Sequence, residues 1–282
     1  MTHSRAILAL HLAVGLFGVA GLFGVWLALP PAQITLGRAA IAALALGIVA
    51  RSRGERATPN LRLCLNGAIL AVHWTAFFAA ISASGVAVGL LGFATFPLFV
   101  VLLERFLLGR AFDRASIATM ALVCVGLAVI AGVPAAGAGS PAGLGWGVVA
   151  GASFAWLAVR NRAHVRDMPP ISIALWQDAF AALWLLPVLL VTPTARMPLA
   201  SEWLLLLALG IVFTALAHTL FIASMRRLSA HTASVIAALE PVYAIVLAAL
   251  LLHQVPSAAM LAGGALIVVA AIVASRRPSV VI

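Results

Sequence analysis

Several charged or titratable side chains stand inside long apolar stretches. Glu240 lies in Ala237-Ala238-Leu239-Glu240-Pro241, Asp178 follows Trp176-Gln177, Arg38 follows Gly37, and His73 and His218 sit in runs of their own. An acid such as Glu240 could accept an ammonium group or carry a proton; the plain alternative is a structural acid that caps a neighbouring helix. Histidine exchanges protons near neutral pH and suits polar contacts, although a lone buried imidazole is often bound to a nearby carbonyl. His11 is a third such group.

Arg38 and Asp178 read as gate-closing or structural charges, one toward each end of the molecule. Pro97 and Pro241 each interrupt an apolar run. An interior proline frees the carbonyl four residues earlier, here that of Phe93 or Ala237, which suits a gate or a simple kink. Trp74, Phe77, Phe93, Phe96, Trp156, Trp176, Phe221 and Tyr243 lie deep in the runs. Packing accounts for any one of them; together they could wall a pocket for an apolar body with few polar fixing groups. The candidate substrate-binding set is therefore His73, Trp74, Phe77, Phe93, Phe96, His218, Phe221, Glu240 and Tyr243. Pro97, Pro241, Arg38 and Asp178 are the gating or structural set. No catalytic constellation, metal site or cofactor motif is expected: a His-Glu-x-x-His pattern and a nucleotide-binding loop are both missing from the sequence.

The elements that hold these residues follow from composition. Of 282 residues, 65% are hydrophobic and 9% charged, against about half and about a quarter in soluble domains. A soluble enzyme, a nucleic-acid binder and a disordered chain are excluded. The expectation is an all-α polytopic membrane protein, with lipid as its surroundings and a small molecule as its partner. At roughly 20 residues per span, there is room for about ten transmembrane helices.

Residues 63–103 and 115–159 lack any Asp, Glu, Lys or Arg. Each is too long for one crossing of a hydrocarbon layer about 30 Å thick. The first must turn at Ser82-Ala83-Ser84-Gly85 and the second in the loop from Val133 to Pro141. Pro30-Pro31, Pro169-Pro170, Pro193, Pro198 and Pro256 mark other boundaries. The expected spans are 6–29, 32–50, 62–82, 85–104, 114–133, 142–160, 171–191, 202–223, 230–251 and 257–275. The first is expected to be a retained span rather than a cleaved signal. With this division, 15 of the 17 cations, all Arg, fall in one set of alternate connections, and Arg196 alone in the other. Both termini are then cytoplasmic.

An offset of 144 residues brings Phe77 onto Phe221, Ala94 onto Ala238, Pro97 onto Pro241, Phe99 onto Tyr243 and Leu107-Leu108 onto Leu251-Leu252. Two units follow, 1–134 and 142–282, joined by a linker at 135–141. Five spans per unit is odd, so the second unit enters the membrane inverted, an arrangement suited to alternating access.

The two five-helix units, the first-span glycines (Gly15, Gly18, Gly21, Gly24), Gly37-Arg38, Phe93-Ala94-Thr95-Phe96-Pro97 and Ala237-Ala238-Leu239-Glu240-Pro241 resemble the drug/metabolite transporter superfamily, in its EamA-type ten-helix branch. Within that branch the chain is similar to aromatic amino-acid exporters of the YddG type. The resemblance implies export of small metabolites across the bacterial inner membrane, with substrate in a central cavity lined mainly by spans 1, 3, 4, 6, 8 and 9.

Export of amino acids with aromatic or other apolar side chains fits these residues. Protons are a candidate coupling partner. An uncoupled facilitator, or an exporter of other metabolites or drugs, is the alternative; an intramembrane enzyme is a distant one. Phosphate-bearing substrates fit poorly with Arg38 as the one central cation.

Overall fold

In a computed structural model of the chain, residues 1–55, 58–109, 113–131, 141–243, 246–247 and 257–275 are described. Among them, all regular structure is helical. Lipid offers no partner for a free N–H or C=O, so each crossing must close its own hydrogen bonds. The helices are α1 (His3–Trp26), α2 (Pro31–Ser52), α3 (Leu61–Phe93), α4 (Phe96–Leu108), α5 (Arg114–Ala131), α6 (Pro141–His164) and α7 (Pro170–Leu190). There follow α8 (Ala200–Gly210), a π-helical turn (Ile211–Leu216), α9 (Ala217–Ser224), α10 (Ala230–Ala237) and α11 (Ala258–Ser275). Among the described residues, six stretches are long and apolar enough to cross a membrane: α1, α2, Leu61–Val86 of α3, α6, α7, and Ala200–Ser224, which runs through α8, the π turn and α9. Shorter apolar helices cover Ser116–Val129 and Leu261–Val273. The chain is a polytopic membrane protein.

Local chemistry sets the starts. Pro31 and Pro170 open α2 and α7, where a missing N–H costs nothing. Asn60 accepts from Leu63 N at 3.0 Å and Ser229 from Thr232 N at 3.0 Å. The turn expected near Ser82–Gly85 occurs at Gly85, whose φ of +76° breaks α3 into two arms. The second arm lies against α6 with almost no space between. A Cβ on Gly92 would fall 2.7 Å from Leu144 O and 2.8 Å from Gly147 Cα.

The prolines depart from the expectation of mid-helix kinks. The helix is interrupted before each of them, at Ala94-Thr95 and at Ala238-Leu239, and resumes at Phe96 and Glu240. Pro97 and Pro241 are thus the second residues of restarted helices, where proline removes no hydrogen bond. The linker at 135–140, Leu251-Leu252, Pro256, Arg56, Arg110, Arg276 and Arg277 lie outside the described residues.

α3 packs most extensively on α6, α2 on α7, α5 on α11, and α1 on α9. At the end of the bundle away from the Arg-rich turns, a polar clasp joins distant parts of the chain. Arg196 donates to both oxygens of Glu202, at 2.8 and 2.6 Å, and to Ala28 O at 3.0 Å. Gln33 donates to Arg196 O and accepts from Arg196 N. The clasp ties the α7–α8 connection to the corner between α1 and α2. Arg196→Ala is expected to raise hydrogen–deuterium exchange in residues 191–199; unchanged protection would mean the clasp holds nothing.

Candidate functional site

The helices converge on one buried cavity. α1 supplies Phe17 and Ala20, and α2 supplies Arg38. The first arm of α3 brings Leu70, His73, Trp74 and Phe77, and its second arm ends on Phe93. α6 contributes Phe154, Leu157 and Asn161, α9 contributes His218 and Phe221, and the restarted helix after α10 brings Glu240. The open space is about 30 Å³, room for a water or two. The site is closed.

Aromatic rings close it. Phe154 lies 5.0 Å from Phe221, 5.0 Å from His73 and 5.1 Å from Phe96 between ring centroids. Phe93 stacks on Phe96 at 5.1 Å and meets Phe77 edge-on at 5.6 Å. Such pairs hold by offset or edge contact.

Polar groups interrupt this wall at a few points. His73 Nδ1 donates to Ala150 O at 2.9 Å. His218 Nδ1 donates to Asp178 Oδ1 at 3.0 Å. Arg38 lies over Trp74, 4.2 Å from its ring centroid, a cation–π contact. Trp74 in turn meets His218 edge-on at 5.7 Å. Arg38 and Asp178, expected at opposite ends of the molecule, are instead linked through these two rings. Arg38 also donates from Nε to Thr214 Oγ1 at 2.8 Å and from Nη2 to Phe213 O at 3.2 Å. Both acceptors belong to the π-helical turn, and Thr214 Oγ1 donates on to Leu209 O at 2.6 Å. The guanidinium thus braces a stretch of irregular helix, of a kind that is rare overall and frequent at functional sites.

Glu240 is 2% exposed, and its Oε1 has no hydrogen-bond partner among the described residues. A buried acceptor left in this way is costly unless something fills it. Asp178 Oδ2 is also unpartnered, but Asp178 is fully buried behind His218. Glu240 faces the cavity.

Of the expected substrate set, His73, Trp74, Phe77, Phe93, His218, Phe221 and Glu240 border the cavity. Phe96 is buried behind Phe93. Tyr243 lies off the cavity, its Oη 2.6 Å from His11 Nδ1. Phe17 and Phe154 went unread because no motif marks them in an apolar run. Asn161, whose Oδ1 accepts from Gln177 Nε2 at 2.6 Å, was hidden between Arg160 and Arg162.

Comparison with known proteins agrees with this architecture. Residues 141–276, from α6 through α11, match the model of the EamA-like transporter family. The chain resembles that family over this second part of its length. It is 24% identical over 253 residues to the uncharacterized transporter YxxF of Bacillus subtilis (strain 168), covering 86% of this chain and 81% of the relative. It also resembles a solved crystal structure at 26% identity and a TM-score of 0.80, over 97% of each chain. This EamA-like chain is accordingly a multi-pass membrane transporter, and its closed cavity is the candidate site for a small-molecule substrate.

Proposed function

We propose that this EamA-like chain is a secondary transporter that exports amino acids with aromatic or other apolar side chains, and related small metabolites, by alternating access. The observation that carries this reading is Glu240, a buried carboxyl with one oxygen unpartnered, facing a cavity walled by aromatic rings. A zwitterion would set its ammonium on Glu240. Its side chain would displace Phe154 or Phe221 from their mutual contact. Arg38, which borders the same cavity, is the cation within reach of its carboxylate. Uncoupled facilitation and export of other metabolites or drugs are outcomes of the test below.

Closure of the site favours a carrier over a channel, which needs a continuous passage. Ten spans in two inverted units of five, 1–134 and 142–282, fit the contacts. Exchange of two such units maps the α3–α6 pair onto α9–α1 and leaves the α2–α7 and α5–α11 pairs facing themselves, and these four are among the larger contacts between the two parts of the chain, beside α3–α7 and α4–α6. The equivalent interruptions at Ala94-Thr95 and Ala238-Leu239 support the same symmetry. They also make Pro97 and Pro241 natural hinge points. The family resemblance implies the bacterial inner membrane, and the Arg distribution supports both termini in the cytoplasm.

Flux of a labelled amino-acid panel in proteoliposomes, with and without an imposed pH gradient, tests the proposal. Saturable movement of aromatic and large apolar amino acids is expected. Acceleration by the gradient would assign proton coupling, and equal rates an uncoupled facilitator. A panel that stays unmoved overturns the substrate assignment.

A further inference from the structure

We propose that a phosphate-bearing anion, from a lipid headgroup or free in solution, seats in a pocket of four arginines at one end of the bundle. Arg162 lies in the last turn of α6, Arg166 in the turn that follows, and Arg226 and Arg227 in the turn between α9 and α10. With Val165 and Met1 they line a pocket of about 320 Å³, and among the described residues its lining includes no Asp or Glu. That volume falls in the ordinary range of small-ligand sites, about 300–1,000 Å³.

Two separate turns build this convergence. Arg166 N donates to Ala163 O at 3.3 Å, Arg226 N to Ala223 O at 3.2 Å and Arg227 N to Ser224 O at 3.0 Å, so both helix ends are tightened in the same way. Arg227 Nε donates to Met1 O at 2.9 Å, which brings in the start of the chain. Carbonyls at the ends of α6 and α9 offset part of the clustered charge. An oxyanion offsets more, because guanidinium groups match phosphate oxygens in pairs.

Depth points to the phosphate chemistry. Both contributing turns directly follow stretches able to cross a membrane, Pro141–His164 and Ala200–Ser224. The pocket therefore lies at headgroup level, where basic pockets between spans take anionic lipid. Arg51 and Arg53 are exposed at the end of α2, and they do not border the pocket. They provide the control for charge alone. The site is separate from the central cavity, so its test stands apart from the transport proposal.

The test uses native mass spectrometry of the purified full chain titrated with phosphatidylglycerol or phosphatidylcholine, and calorimetry with inorganic phosphate. Each Arg near an anionic surface contributes about fivefold in affinity. Arg226→Gln should thus lose about fivefold for phosphatidylglycerol, and Arg166→Gln with Arg226→Gln about twenty-five-fold. Arg51→Gln with Arg53→Gln should stay near wild type, as should phosphatidylcholine binding by all forms. Phosphate binding that disappears in the pocket variants would assign a soluble source; selectivity for phosphatidylglycerol without phosphate binding would assign the lipid. Binding of neither ligand overturns the proposal, as does an equal loss in the α2 control, since affinity would then follow net charge. Melting curves establish that each variant is folded, and the single substitution carries the test if the double one is not.

Discussion

Glu240→Gln is expected to lower amino-acid flux in proteoliposomes by about ten- to a hundredfold, while the protein still inserts and melts no lower than wild type. A hydrogen bond to a charged group contributes about 1.5–3 kcal/mol, and about 1.4 kcal/mol is tenfold. Gln keeps the size and one acceptor but lacks the charge that would hold an ammonium. Stability should not fall, because among the described residues Glu240 Oε1 has no partner to lose. A substrate analogue without the amino group should respond less than the amino acid. Unchanged flux, or equal losses for both compounds, would remove Glu240 from the site.

Gly147→Leu should have the largest effect on folding. A Cβ at this position would fall 2.8 Å from Gly89 O and 2.8 Å from Gly92 Cα, both backbone atoms of the second arm of α3. Backbone cannot swing aside as a side chain can. Overpacking of a tight contact costs about 1–3 kcal/mol and sometimes more, and Leu adds further atoms beyond the Cβ. The seam it opens is also the one that brings Phe154 of α6 against Phe93 at 5.4 Å. Loss of monodisperse protein and a lowered melting temperature in detergent are expected. Gly145→Leu, on the same helix with nothing within 4 Å of its Cβ, should behave as wild type. Equal behaviour of the two variants would show that the close approach is not limiting.

Much of the fold was legible because lipid imposes few solutions. Apolar runs gave the helices, and prolines gave the boundaries at Pro31 and Pro170. The charge-free run from 63 to 103 required a turn, which Gly85 supplies. Glu240, His73 and His218 stood out because polar groups are rare in such runs. What escaped depends on contacts between residues far apart in sequence. The π turn at Ile211–Leu216 has an ordinary apolar sequence, and Arg38 reaches it from a different helix. Arg196 stood out in the sequence only as the exceptional cation, and its clasp with Glu202, Gln33 and Ala28 appears only in the folded chain. Phe17 and Phe154 look like any other core rings until α1 and α6 bring them together at 6.5 Å. Pro97 and Pro241 read as mid-span breaks, but each is the second residue of a restarted helix, because the interruption lies just before it.

If substrate passes through the cavity beside Ala20, Phe154 and Glu240, filling that space must stop transport. Ala20 is 3% exposed and borders that space, so Ala20→Trp fills it with a ring from α1. The most direct measurement is labelled phenylalanine flux in proteoliposomes for wild type and Ala20→Trp at matched reconstitution. The account predicts saturable flux in wild type and background flux in the variant. Wild-type flux no higher than protein-free liposomes, or equal flux with the cavity filled, would contradict it.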